Sequence, residues 1–193
     1  TLQAGGITLS SSGQSDVWLT KLQDVGTAGT VEWLQQVGSA ADDGMPRLAA
    51  QGTAVYLAAT TGPGELQLGA VRLPAASTAR LYVAKLLDAG PTPGFRWVRA
   101  STGVPAQAQA LVVHGARAYV GGYFGDYNPT TTISFGPATL KTITGPTPRT
   151  DAFLACLTDA GATAAFDWAL GAGDIGQEAL TALVTADAQL YAG

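Results

Sequence analysis

The chain is poor in charge, cysteine and histidine. Only 12% of its 193 residues are charged, with one cysteine, Cys156, and one histidine, His114. A single cysteine excludes an internal disulfide and a cysteine metal cluster, and a single histidine excludes most zinc and haem sites. Long apolar runs are missing too, because Gly, Gln, Asp or Arg interrupts every stretch before the ~18 residues a membrane helix needs. With only 14 acids and 10 bases, charged amphipathic helices are scarce and a helical bundle is not expected. No initiator methionine or leader precedes Thr1, so a processed chain or part of a longer one is expected. What remains is 47% hydrophobic residues, 25 glycines and 10 prolines amid abundant Ala, Thr and Val. That mixture describes many short strands joined by turns.

Self-similarity organises the chain. Asp16-Val-Trp-Leu-Thr-Lys21-Leu returns as Arg80-Leu-Tyr-Val-Ala-Lys85-Leu and as Asp151-Ala-Phe-Leu-Ala-Cys156-Leu. Each copy continues to an aspartate (Asp24, Asp88, Asp159) and a glycine (Gly26, Gly90, Gly161). A tryptophan stands twelve residues after Lys21, Lys85 and Cys156 (Trp33, Trp97, Trp168), and a tyrosine 23, 22 and 23 residues further on (Tyr56, Tyr119, Tyr191). Three units follow, approximately 1–61, 62–127 and 128–193. An earlier piece ends at Leu9, Leu73 and Leu140, so each unit offers four strands: that piece, the stretch beginning at Val17, the one around Trp33, and segments flanking the turn before Tyr56. Leu111-Val-Val and Phe153-Leu-Ala-Cys-Leu are apolar on both faces, which suits sheets packed on both sides. Four antiparallel strands per unit predicts an all-β, propeller-like architecture of four-stranded blades. The extra length of the middle unit, Gly121 to Phe135 and Lys141 to Thr150, is expected to form rim loops.

Asp-x-Phe/Trp-Leu-x-Lys-Leu, then Asp-x-Gly, Trp, Gly-x-x-x-Asp and Val-Tyr-x-x-Gly, resembles the SBBP-type bacterial β-propeller repeat of secreted and surface proteins. The matching residues are Asp16, Trp18, Lys21, Asp24, Gly26, Trp33, Gly38, Asp42 and Tyr56 in the first unit. In the third they are Asp151, Phe153, Asp159, Gly161, Trp168, Gly171, Asp174, Tyr191 and Gly193. Two departures stand out: Cys156 replaces the lysine, and the middle unit reads Ser101-Thr-Gly-Val-Pro where the others have Gly and Asp. The resemblance implies a scaffold rather than a reaction, located outside the cell, at the cell surface, or in an outer-membrane-associated or periplasmic setting. Three blades are too few for a ring, since closed propellers have about four to eight. The ring is therefore expected to be completed by further blades of the same chain, another copy or another subunit.

Residues capable of chemistry mostly occupy repeated positions, and structure is the expected role. His114 precedes Gly115 in a hairpin turn where the sister units have Gln51 and Ala186. Cys156 lies mid-strand and is expected to be a buried free thiol, and Lys21 and Lys85 to be strand lysines with solvated heads. Asp24, Asp88 and Asp159 read as turn residues. Trp33, Trp97 and Trp168 with Tyr56, Tyr119 and Tyr191 read as the repeated core. Outside the repeat stand Tyr123, Phe124, Asp126, Tyr127 and Asn128, candidates for contact with a ligand or partner. No catalytic, metal or cofactor site is expected, and a pI of 4.7 argues against nucleic acid.

Charge is segregated along the chain. Residues 1–71 carry two bases and six acids, 72–117 six bases and one acid, and 118–193 two bases and seven acids. Aligned signs invert at Asp16, Arg80 and Asp151, and again at Glu32, Arg96 and Asp167, so these residues are expected to key blades to their neighbours. The expected function is a non-enzymatic structural or interaction module that presents rim loops and docks further blades or another subunit. Two alternatives are a glycan-binding or glycan-cleaving propeller, needing Asp126 and Glu178 on one rim with the aromatic loop, and an accessory subunit of a membrane-associated assembly.

Overall fold

Alternating small and branched apolar residues keep the backbone extended, and every regular element among the described residues is a β-strand. The structure is a computed structural model and describes residues 1–90, 92–126, 131–143 and 150–193. β1 (Leu2–Ala4) and β2 (Ile7–Leu9) form a hairpin, and β3 (Val17–Asp24) and β4 (Gly29–Val37) a two-stranded sheet. β5 (Gly44–Gln51) and β6 (Ala54–Thr61) lead to a small hairpin, β7 (Gly64–Leu68) and β8 (Val71–Ala76). β9 (Arg80–Leu87) and β10 (Gly94–Ala100) then return to build an antiparallel sheet in the order β10-β9-β6-β5. β11 (Thr102–Gly103) comes next, followed by β12 (Ala106–His114) and β13 (Arg117–Phe124). The hairpin β14 (Thr132–Phe135) and β15 (Ala138–Lys141), to which β11 adds, precedes β16 (Asp151–Asp159) and β17 (Ala164–Ala172). This second four-stranded sheet runs β12-β13-β16-β17, and the hairpin β18 (Leu183–Ala186) and β19 (Gln189–Ala192) follows it.

The fold is thus all-β and antiparallel, but its strands are grouped differently from the expected units. The four-stranded sheets join β5–β6 to β9–β10 across the 61/62 boundary and β12–β13 to β16–β17 across the 127/128 boundary. The stretches ending at Leu9, Leu73 and near Leu140 belong to separate small hairpins. Length explains the choice: β6 and β9 are each eight residues and pair along that whole length, whereas the hairpin strands β1, β2, β14 and β15 have three or four. The regions expected to be rim loops are also partly strand, since Gly121–Phe124 completes β13 and Thr132–Phe135 is β14.

The sheets stack face to face. One face of the first four-stranded sheet (Leu57, Ala59, Tyr82, Ala84, Leu86, Val98) packs on Val17, Leu19, Trp33 and Val37 of β3–β4, with Leu66, Leu68 and Leu73 of the β7–β8 hairpin. Its other face (Tyr56, Ala58, Leu81, Val83, Trp97) packs on the second sheet through Ala106, Ala108, Val120, Phe153 and Leu157. Phe135 seals that core, stacked on Phe153 with centroids 4.9 Å apart and edge-on to Phe166 at 5.3 Å. A strand between two apolar layers must be apolar at odd and even positions alike, which is why β9 is buried along nearly all its length.

Pairing registers recur at equivalent positions. Lys21 faces Trp33, Lys85 faces Trp97, and Cys156 faces Trp168. A bulge follows in each pair and leaves one residue over: Glu32, Arg96 or Asp167. A bulge residue has no opposite number in the ladder, and all three are exposed. The hairpin turns recur as well, with Gly52 and Gly115 in the left-handed region (φ 61° and 60°) and Asp187 held there at 53°.

Candidate functional site

The chain's polar chemistry is concentrated where one sheet meets the next. At the junction of the two four-stranded sheets the Asp159 carboxylate, at the end of β16, crosses to the preceding sheet. It accepts Lys85 Nζ at 2.5 Å and Tyr56 Oη–H at 2.6 Å on one oxygen. On the other it accepts Trp97 Nε1–H at 3.0 Å and the Gly161 N–H at 2.8 Å. The side chains of Lys85 and Asp159 are 10% and 6% exposed. Burial pushes the Asp159 carboxyl up, but the bonds from Lys85, Tyr56, Gly161 and Trp97 outweigh it and hold its pKa below the usual carboxylate value. Burial and the same carboxylate raise the Tyr56 hydroxyl, which stays protonated as a donor. Tyr56 and Trp97 lie side by side, centroids 6.0 Å apart and tilted by 58°.

The same clamp closes the junction before it in a more open form. Asp88 accepts Trp33 Nε1–H at 3.0 Å and Lys21 Nζ at 2.8 Å, and Lys21 is shared with Glu32 at 2.7 Å. These bonds, Lys21 first, lower the Asp88 carboxyl. On the far side of the larger junction Arg47 reaches from β5 to Gln109, donating from Nε to the backbone oxygen at 2.6 Å and from a guanidinium Nη to the side-chain oxygen at 2.9 Å. Gln51 and Gly115 exchange two further bonds between neighbouring turns. Arg47→Ala is expected to cost about 2 kcal/mol, read as a fall in the urea midpoint at unchanged slope.

A third arrangement of the same kind ends the series. Tyr119, Cys156 and Trp168 face one another in register, with the two rings 6.2 Å apart and tilted by 50°. Cys156 is free and buried, and burial raises its thiol, opposed by Arg117. Arg117 lies 3.5 Å from the sulfur and 3.9 Å from Asp167. The cation missing at position 156 is therefore supplied by the adjacent strand.

The other expected residues are distributed as follows. Tyr123 is half-buried and donates its hydroxyl to Gln107. Phe124 is corrected: at 1% exposure it is the last residue of β13 and part of the core, so it is no contact residue. Asp126 is half-buried after Gly125, and Tyr127 and Asn128 lie outside the described residues. Glu178 lines a shallow hollow of about 350 Å³ with Tyr123, Thr150, Gln177 and Ala179. Asp16 accepts the Ser12 N–H and Gln36, Asp151 accepts the Ile143 N–H, and Arg80 donates to the Gly64 and Pro74 carbonyls. These bonds stay within the stretch from each small hairpin to the pair of long strands that follows it. Glu32 pairs with Lys21 and Asp167 with Thr158 and Arg117, within their own sheets. Of the expected core aromatics, Trp33, Trp97 and Tyr56 are buried, Trp168 and Tyr119 half-buried, and Tyr191 is 53% exposed.

Sequence reasoning missed the clamp. Lys85 is a buried ion-pair partner rather than a solvated strand lysine, and Asp88 and Asp159 do more than form turns. The available signal was that Lys, Asp, Trp and Tyr repeat together at fixed spacings. Among the described residues no group of three His, Cys, Asp or Glu could hold a metal, and no helix is long and apolar enough to cross a membrane. No protein-family model, curated protein or solved structure matches the chain.

Proposed function

We propose that this chain is a non-enzymatic structural and interaction module, a propeller segment of SBBP type that docks further blades or another subunit at its open ends. The observation that carries the reading is the clamp: Asp88 and Asp159 each reach back to a Lys and Trp of the sheet before. A device that fastens each sheet to its predecessor is what an array of stacked blades requires. It also accounts for most of the repeated charged and aromatic side chains without assigning them chemistry. Antiparallel four-stranded sheets, stacked with both faces of one of them covered, fit the same architecture. The bacterial extracellular or cell-surface setting rests on the sequence resemblance.

One observation favours a second reading. Tyr123 and Glu178 share the shallow hollow, an aromatic beside an acid, as a glycan site would have. Incubation with a panel of bacterial and plant polysaccharides, read by release of reducing ends, separates the two. The module reading expects no release above that of the Glu178→Gln variant. Release that disappears in Glu178→Gln, with the fold intact, would establish the glycan-cleaving reading instead.

A further inference from the structure

Two buried polar side chains each have one atom with no hydrogen-bond partner among the described residues: Asp43 Oδ1 and Tyr82 Oη. The residues are 6% and 0% exposed. A buried donor or acceptor left dry loses its solvation for nothing, so native proteins satisfy such atoms with protein groups or with an ordered water. Backbone register brings the two residues together. Tyr82, on β9, belongs to the same buried cluster as Val37, the last residue of β4. Its neighbour Leu81 pairs with Thr60, which pairs with Gly44, the first residue of β5. Asp43 ends the segment that runs from Val37 to Gly44, so that segment begins and ends beside Tyr82.

The segment is fixed by its own hydrogen bonds and covered by neighbouring backbone. Asp43 Oδ2 accepts the Ser39 N–H at 2.6 Å and the Ser39 hydroxyl at 2.9 Å, and Ser39 Oγ accepts the Ala41 N–H at 3.1 Å. The Asp43 N–H donates to the Ser15 oxygen at 2.8 Å. Glycines let the chain close over these residues: a Cβ on Gly13 would stand 2.6 Å from the Ala41 oxygen and 2.7 Å from the Ser39 oxygen, and one on Gly62 would stand 2.5 Å from the Ala41 Cβ. Asp43 therefore has one carboxylate oxygen filled and held in place, while the other is buried without a donor. Burial, and then the Asp43 charge, raises the Tyr82 hydroxyl above its ordinary pKa, so it stays protonated and able to donate.

We infer that a single water molecule is bound between Asp43 and Tyr82, accepting from the Tyr82 hydroxyl and donating to Asp43 Oδ1. The two atoms are complementary, a donor and an acceptor, yet make no direct bond. One water supplies both missing partners, within the range of about two to four that a buried water takes. A divalent cation does not fit, because it needs about six or more oxygen ligands and the only carboxylate here has its other oxygen committed to Ser39. The water ties Tyr82, in the first four-stranded sheet, to the segment that leads into that sheet from β3–β4. Tyr82 and Asp43 are then positioning residues for that connection, whatever the module docks.

Tyr82→Phe removes one oxygen and separates a wet site from a dry one by the sign of its effect. A buried hydroxyl with no partner is a cost to the folded state, so deleting it from a dry site leaves stability the same or raises it. With the water in place, the same change takes away the water's donor and is expected to raise the unfolding equilibrium constant about tenfold, read from urea unfolding at pH 7. Magnetic relaxation dispersion of the water oxygen, which counts long-lived bound waters, is expected to show one fewer in Tyr82→Phe than in the wild-type protein. In a crystal of the wild-type protein, density for one water within hydrogen-bond distance of both atoms is expected. Unchanged or raised stability, an unchanged water count, direct contact between the two side chains in the crystal, or a thermal transition that depends on which cation is supplied would each overturn the inference.

Discussion

Replacing Asp159 by Asn is expected to lower the unfolding free energy by about 3 kcal/mol or more, the scale of removing one partner from a buried ion pair. The loss is large because the carboxylate serves four donors at once, and the variant leaves the Lys85 ammonium among buried neighbours with no counter-charge. Asp88→Asn is the control. Lys21, its partner, is 41% exposed and keeps Glu32 at 2.7 Å, so water and a second carboxylate take up the lost charge and the effect is much smaller. The wild-type protein carries a matching pH dependence. The Asp159 carboxyl is depressed in the folded state, so its stabilisation is complete above the unfolded carboxylate value near ~3.9 and disappears as pH falls through the lower folded value. Urea unfolding at pH 7 and at steps below pH 4 is expected to show the two proteins converging in acid. A constant gap between them would mean that the charge does not contribute as described.

The local spacings are visible in the sequence because hairpin registers are local. Twelve residues from Lys21 to Trp33 are a turn, a bulge and a fixed ladder, and a one-residue slip in that register would put tryptophan on the wrong face. Grouping strands into sheets is not legible in the same way. Stretches such as Leu111-Val-Val and Phe153-Leu-Ala-Cys-Leu are apolar on both faces, so pattern alone does not say whether Tyr56 belongs with Trp33 or with Lys85 and Trp97. The clamp is hidden by distance: Trp33 meets Asp88 55 residues away, and Tyr56 meets Asp159 103 away. The sign inversions at Glu32, Arg96 and Asp167 are real in the sequence, but the bulge explains them more simply, because an unpaired exposed position tolerates either charge. Phe124 reads as a loop aromatic because two glycines precede it, and those glycines turn out to have a different purpose.

Gly122→Ala is expected to abolish the native fold of the second four-stranded sheet, or to cost more than about 4 kcal/mol where a folded fraction survives. Gly122 is inside β13, opposite Ala108 on one side and Phe153 on the other, next to the bulge that leaves Gln109 over in β12. The bulge draws the two backbones together. A Cβ on Gly122 would overlap the Gln107 carbonyl oxygen and stand 2.9 Å from its carbon and 3.1 Å from the Gln109 nitrogen. All three are backbone atoms of β12 at its bulge, and moving them disturbs the pairing that buries Ala106, Ala108 and Val120 against the first sheet. Its neighbour distinguishes close approach from a general intolerance of side chains. At Gly121 the new methyl would overlap Leu180 Cδ2 and stand 3.2 Å from its Cγ, but these are the far end of a flexible side chain that can turn away, not backbone. Gly121→Ala is therefore expected to fold with a modest loss, while Gly122→Ala loses the cooperative transition in circular dichroism. Equal tolerance at both positions would show that β12 and β13 are not drawn together at the bulge.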